Sequence, residues 1–306
     1  SLGVIKFHMI LVFGHINTHI QAGLQTPLTP DSLNITACDS LFDISGSSTI
    51  QAVSAARGGA KVSLIGTVGN DIFGTHCIET LRKEGINTSG IGKSETDSGL
   101  EISLNHPDNA AMTVTSLGAN KHTHAGQIPQ IHLNERSLLL LSGDIDHDIL
   151  LTLLERAKAQ NARTMLCLQD QTDIDINTLS RADIVVTTEN SALLHQKTKS
   201  ENTIVITRDL GVGGAAVHGE NGQDVHYEQA NDAHSLVDIH GCFDVFCGFF
   251  AACVQAGLPI ERSIAFASKA ALAAAQKSGI YTSVPYLGYV EDMLAQDAKT
   301  ATAQNC

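Results

Sequence analysis

From Leu138 onward the chain alternates short apolar runs with longer stretches of helical period. Leu138–Leu141, Arg163–Leu168, Ile184–Val186 and Thr203–Ile206 are too short for helices and largely apolar, the pattern of strands buried on both faces. The intervening pattern predicts helices near Ile149 to Gln160 and Ser191 to Lys197. This rhythm predicts a doubly wound α/β fold with a mainly parallel sheet, helices on both faces, and ligands at the carboxyl ends of the strands. Met9–Phe13 reads as a further buried strand, which Gly14 turns into a polar loop running to His19. Polar residues in such a loop are ordinarily solvated.

The N-terminal half carries a second pattern, of period two. Ser40–Ile44, Ser98–Asn105 and Ala110–Ser116 alternate polar with apolar residues, and the last two flank the turn-rich His106–Asn109. They predict a small one-sided β-sheet with strands from about 32–46 and 97–117, inserted into an α/β domain that spans 3–306. Ser45 to Ala60 is a small-residue turn entering a helix. A sheet of few strands leaves its edges open, so edge-to-edge pairing of two copies, or capping by a partner, is expected.

Leu236 to Gly257 concentrates the chemistry. Asp238–Gly241 reads as a turn, and the apolar run after it as a buried helix with Asp244 in its first turn. Free backbone amides and the helix dipole attract anions there, so Asp244 has two readings: a general base beside a bound phosphate, or a carboxylate that caps its helix. Cys242 at the same helix start admits a thiolate-nucleophile reading, with only His240 nearby as a base.

Composition narrows the classes. A chain of 306 residues, 43% hydrophobic, can bury a core in one large domain. A formal charge of −13 leaves no basic patch for nucleic acid or anionic membrane. No apolar run reaches the roughly 20 residues of a membrane helix, and no signal peptide is expected. Seven cysteines, odd in number and without Cys-x-x-Cys spacing, point to reduced thiols in a cytoplasm. The fourteen histidines show no zinc spacing, and His122 and His124 fall in a polar loop, as scattered surface residues do.

Taken in order, these stretches resemble the ribokinase-like (PfkB) carbohydrate kinases. Asp238, Gly241, Asp244 and Gly248 match the C-terminal signature Asp-Thr-x-Gly-Ala-Gly-Asp and its helix, with Ile239, Cys242 and Phe243 in place of Thr, Ala and Gly. Gly66 to Gly74, which includes Asp71, matches the strand and Gly-x-Val-Gly-x-Asp-x-x-Gly of the N-terminal signature. The resemblance implies magnesium- and ATP-dependent phosphorylation of a hydroxyl on a small sugar or sugar-like substrate, with the small sheet serving as a lid. Asp244 would be the base, and the amides of Gly241, Cys242, Phe243 and Asp244 would cradle the transferring phosphoryl. By the same resemblance Asn17, His19, Gly46, Ser47, Ile50 and Asp144 would meet the substrate, with His19, Ser47 and Ile50 standing where the family has Asp, Lys and Asn. Thr207, Asp209, Gly211, Gly213 and Ser268 would meet the nucleotide. Glu189 falls at the magnesium-organising stretch, where Thr188 and Ser191 depart from the family, and Asp238 at a monovalent cation site suited to potassium. The departures, Phe243 above all, leave a second reading open: a catalytically degenerate member that serves as a ligand-binding or scaffold protein.

Overall fold

The computed structural model describes residues 9–29, 34–106, 109–129, 132–169, 174–188, 204–208, 215–218, 224–227 and 236–304. The chain starts with β1 (Met9–Phe13), β2 (Asn17–Leu24), β3 (Ala37–Ser45), α1 (Ser47–Arg57), β4 (Val62–Gly69), α2 (Ile72–Lys83) and β5 (Asn87–Ser94). The hairpin β6 (Gly99–His106) and β7 (Asn109–Ser116) follows, then β8 (Ser137–Ser142), α3 (His147–Ala159), β9 (Arg163–Leu168), α4 (Ile176–Leu179) and β10 (Ile184–Thr188). The remaining elements are β11 (Ile204–Arg208), β12 (Ala215–His218), β13 (Asp224–Tyr227), α5 (Cys242–Gln255), α6 (Ile260–Ala275) and α7 (Leu287–Gln304).

Nine strands form the large sheet, in the order β13-β12-β11-β10-β9-β8-β1-β4-β5. All pairings are parallel except those of β12 with β11 and β13. The apolar runs of the sequence are explained by burial on both faces. Ile10 and Val12 of β1, with Leu138 and Leu140 of β8, join the core under α1, α5 and α6. Their neighbours Leu11, Phe13, Leu139 and Leu141 join the core under α3.

The small sheet has the order β3-β2-β6-β7. Its strand β2 corrects the sequence reading, which left Gly14 to His19 as a loop. Asn17, Thr18 and His19 are all buried, because β2 is an inner strand flanked by β3 and β6. Asp71 joins the two parts of the fold. Its carboxylate caps α2 through the Gly74 amide (2.7 Å) and accepts from both the amide (2.8 Å) and hydroxyl (2.7 Å) of Ser98, just before β6. Burial opposes its ionisation, but these bonds hold the carboxyl below the usual aspartate range. Leu236 and Val237, which lead into the turn, form no strand. The amides of Val237 and Asp238 donate to the Ala275 carbonyl (2.8 and 3.0 Å), so this segment is fastened to the end of α6. The expected helix from Ser191 to Lys197 lies outside the described residues.

Helix α5 is buried along its whole length and packs on α1. At the crossing the two backbones touch, since a Cβ on Gly248 would overlap the Gln51 carbonyl oxygen and come within 2.5 Å of Ser54 Cβ. Gly248→Ala is therefore expected to destabilise the protein by about 1–3 kcal/mol through overpacking. Urea unfolding with an unchanged midpoint would show that α1 can retreat from α5 at no cost.

Candidate active site

A cleft of about 480 Å³ opens at the carboxyl ends of β8 and β9, bounded by the first turns of α1, α3 and α5. Its polar wall is made of Ser47, Gln51, Asp144, His147 and Asp244, and Phe243 and Leu150 contribute apolar surface. Serines fix the geometry. Ser48 Oγ donates to the Phe13 carbonyl (3.1 Å) and lies 3.0 Å from Ser142 Oγ, which pins the start of α1 to the ends of β1 and β8. Ser142 in turn donates to Asp144, whose other oxygen lies 3.3 Å from His15 Nδ1. Asp144 opens to the cleft but is otherwise surrounded by protein. That environment disfavours its charge, yet His15 and Ser142 hold its carboxyl below the usual range.

Opposite Asp144 stands Asp244. Gly241 precedes α5 with φ 74° and ψ −6°, a left-handed cap that turns the chain sharply into the helix. Asp244 is buried, and Gln51 Nε2 donates to its Oδ1 at 2.8 Å. Burial is the main cause that pushes its carboxyl up to about 7. The hydrogen bonds from Gln51 and Ser47 act the other way, while the charges of Asp144 and Glu101 add to the rise. At neutral pH this aspartate is poised to take or give a proton, a property that marks functional carboxyls.

Two expectations about this turn are corrected. The Cys242 amide donates to the Ile239 carbonyl (3.2 Å), so it closes the turn and is not turned to a ligand; Phe243 and Asp244 carry the amides at the open end of the helix. Phe243 does not require a glycine's backbone freedom, because among the described non-glycine residues only Asn161 has a positive φ. Its ring packs in the core and also lines the cleft beside Asp244. The Cys242 thiol is buried and donates to the Asp238 carbonyl (3.8 Å), an arrangement that favours the thiol over a thiolate nucleophile.

Of the residues expected to meet substrate, Ser47 and Asp144 line the cleft and the others do not. Gly46 caps α1, with no room for a Cβ against the His15 carbonyl. Asn17 accepts from Asn120 Nδ2 (2.7 Å), and Asn120 also accepts from the Ile16 amide (2.9 Å), so the Asn17 carbonyl is committed to bracing the start of β2. His19 is buried in β2 with Nε2 3.0 Å from Ser103 Oγ, and burial holds its imidazole below the usual histidine range. Ile50 belongs to the core beside Gly241. The side chains that sequence reasoning missed are His15, Gln51 and Ser142. Gln51 had a legible signal, its place one helical turn after Ser47, on the same face of α1.

On the nucleotide side, Thr207 is the penultimate residue of β11, in register with Thr187, while Asp209, Gly211, Gly213 and Glu189 lie outside the described residues. Thr187 Oγ1 and Ser268 Oγ are buried polar atoms with no hydrogen-bond partner, which fits a polar ligand nearby. Among the described residues no three His, Cys, Asp or Glu side chains converge to hold a metal ion. Asp238 Oδ1 accepts both the amide (3.0 Å) and Nδ1 (2.8 Å) of His240, and that bond raises the imidazole above the usual range. Asp238, the residue expected at the potassium site, thus has Oδ1 engaged by His240.

A doubly wound sheet carrying a small sheet, with an aspartate at a helix start between them, is the ribokinase fold. A ribokinase structure from Thermotoga maritima superposes with TM-score 0.80 at 22% identity, covering 94% of this chain and 100% of that one. Arabidopsis thaliana ribokinase, solved with ribose and ATP, superposes with TM-score 0.77 at 17% identity over 94% and 99%. The Schizosaccharomyces pombe ribokinase is 25% identical over 265 residues, 79% of this chain and 83% of its own. A family profile described as pfkB family carbohydrate kinase matches residues 8–287, and the chain belongs to that family.

The Asp244 carboxyl has a consequence for stability. Its folded value, about 7, exceeds that of an unfolded aspartate, about 3.9, so between these pH values the folded state holds the extra proton and stability falls as pH rises. Asp244→Asn is expected to remove this slope. Its stability advantage should grow from about pH 4 to 7 and level off on the order of 2–4 kcal/mol. An advantage independent of pH in urea titrations would show that Asp244 is ionised at the ordinary aspartate value.

Proposed function

We propose that the protein phosphorylates a hydroxyl of a small sugar or sugar-like substrate. The observation that supports this most is the buried Asp244, held by Gln51 at the start of α5 and facing a polar cleft with Asp144 on its far wall. Asp144 and Ser47 accept and donate hydrogen bonds to the substrate's hydroxyls and present one of them to Asp244. Asp244 takes the proton of that hydroxyl as its oxygen forms the new bond to phosphorus and the bond to the leaving phosphate oxygen breaks. ATP would supply the phosphoryl group, with magnesium to offset the charge of its phosphates. The amides of Phe243 and Asp244, together with the helix dipole, stabilise the charge on the group in flight. The lid excludes water.

The site itself lends weight to one alternative, a degenerate ligand-binding member, because the Phe243 ring occupies cleft wall where the family has a glycine. Two substitutions separate the readings in an assay of ATP turnover against sugars and nucleosides. Asp244→Asn is expected to cut turnover about 10²–10⁴-fold with the fold intact, and full activity in this variant would remove Asp244 as the base. Phe243→Gly is expected to leave robust wild-type turnover little changed. A gain of about 10²–10³-fold from a feeble wild type would establish that the ring blocks the phosphate cradle.

We also assign the protein to the cytoplasm, on its free described cysteines, and to a homodimer formed through the lid. The edge strands of the small sheet are β3 and β7, and Met112 and Val114 on β7 are exposed by 52% and 57%. Sedimentation at micromolar concentration should give a dimer that Val114→Lys converts to monomer, and a wild-type monomer would refute the assignment.

A further inference from the structure

Gln51 is an uncharged side chain of the cleft wall that is bonded to Asp244. It is fully buried in α1, and the Gly248 contact on its carbonyl keeps its backbone in place. Its Nε2 is bonded to Asp244 Oδ1, whereas its Oε1 is buried without any hydrogen-bond partner. A glutamine that served only to satisfy a buried carboxyl would be matched at both ends, since a buried acceptor left unpaired is costly. Here the unmatched end belongs to a residue lining the cleft.

We propose that Gln51 is the positioning residue of the site: Nε2 orients Asp244, and Oε1 accepts a hydrogen bond from a substrate hydroxyl adjacent to the one that reacts. The inference rests on Asp244 as the base of the proposed reaction. It asks of the substrate a second hydroxyl beside the one that reacts, because an acceptor buried beside the base is matched by a second donor on the same molecule. One side chain then joins recognition to proton transfer, and a substrate lacking the second hydroxyl leaves Oε1 unpaired.

The groups that face Asp244 are Ser47 and Gln51 from α1, Asp144 beyond β8 and Glu101 from β6. Only the first two stabilise its charged form. Removing the Gln51 donor therefore moves the Asp244 titration to higher pH.

Two variants test the two ends of the amide. Gln51→Met removes both donor and acceptor, and Gln51→Glu keeps an acceptor and removes the donor. Carbon-13 NMR of labelled aspartate in the ligand-free protein, assigned with Asp244→Asn, reads the titration without any turnover. Both variants are expected to shift it upward by about one unit. Calorimetry with ribose and its 2- and 3-deoxy analogues reads the acceptor end. The wild type should prefer ribose over one analogue by roughly tenfold, Gln51→Glu should keep that preference and Gln51→Met should lose it. An unmoved titration in either folded variant overturns the orienting role. Equal binding of all three sugars by the wild type, or no binding, overturns the acceptor role. A shifted titration in a protein that phosphorylates no substrate supports the Gln51–Asp244 coupling while the kinase reading fails.

Discussion

Backbone contact between α1 and α5 is the constraint on which the site depends. A helix buried on every side has no freedom to slide, and where α5 crosses α1 the absence of a side chain at Gly248 sets how close the axes come. Only at that separation does Gln51, on one helix, reach Asp244, one turn earlier on the other. The same approach puts the small-residue start of α1 against the ends of β1 and β8, where the serine chain from Ser48 through Ser142 to Asp144 is strung. A packing requirement in the core thus sets distances in the cleft.

The two aspartates of the cleft show how the surroundings separate identical groups. Asp144 has His15 and Ser142 as direct partners and stays ionised. Asp244 has burial against it and only neutral donors for it, and its carboxyl rises to about 7. The pair leaves one carboxyl held ionised and one poised near neutrality. Keeping an aspartate in that condition works against stability above its unfolded pKa, a burden that belongs with function rather than folding.

The large sheet was legible because its strands are buried on both faces, so continuous apolar runs such as Leu138–Leu141 are strands and little else. The hairpin of the small sheet was legible from its alternation and its central turn. Strand β2 was not, since Asn17, Thr18 and His19 are polar yet buried, and their burial comes from two flanking strands that lie distant in the chain. Asp244 was found as a residue at a helix start, with capping and catalysis left open. Its burial and its Gln51 partner came only from the fold.

The sequence by itself determined the family, the α/β class and the position of the aspartate, because these follow from local periodicity and from signature residues within one segment. Which of the candidate substrate residues line the cleft was decided only by the tertiary structure. Asn17 went to a bond with Asn120, Ile50 to the core and His19 to the interior of the small sheet, and Gln51 emerged beside Asp244, 193 residues away in the chain. The physical reason is that a side chain's role is set by what lies across from it. In a fold built from parallel strands and crossing helices, those partners come from elsewhere in the chain.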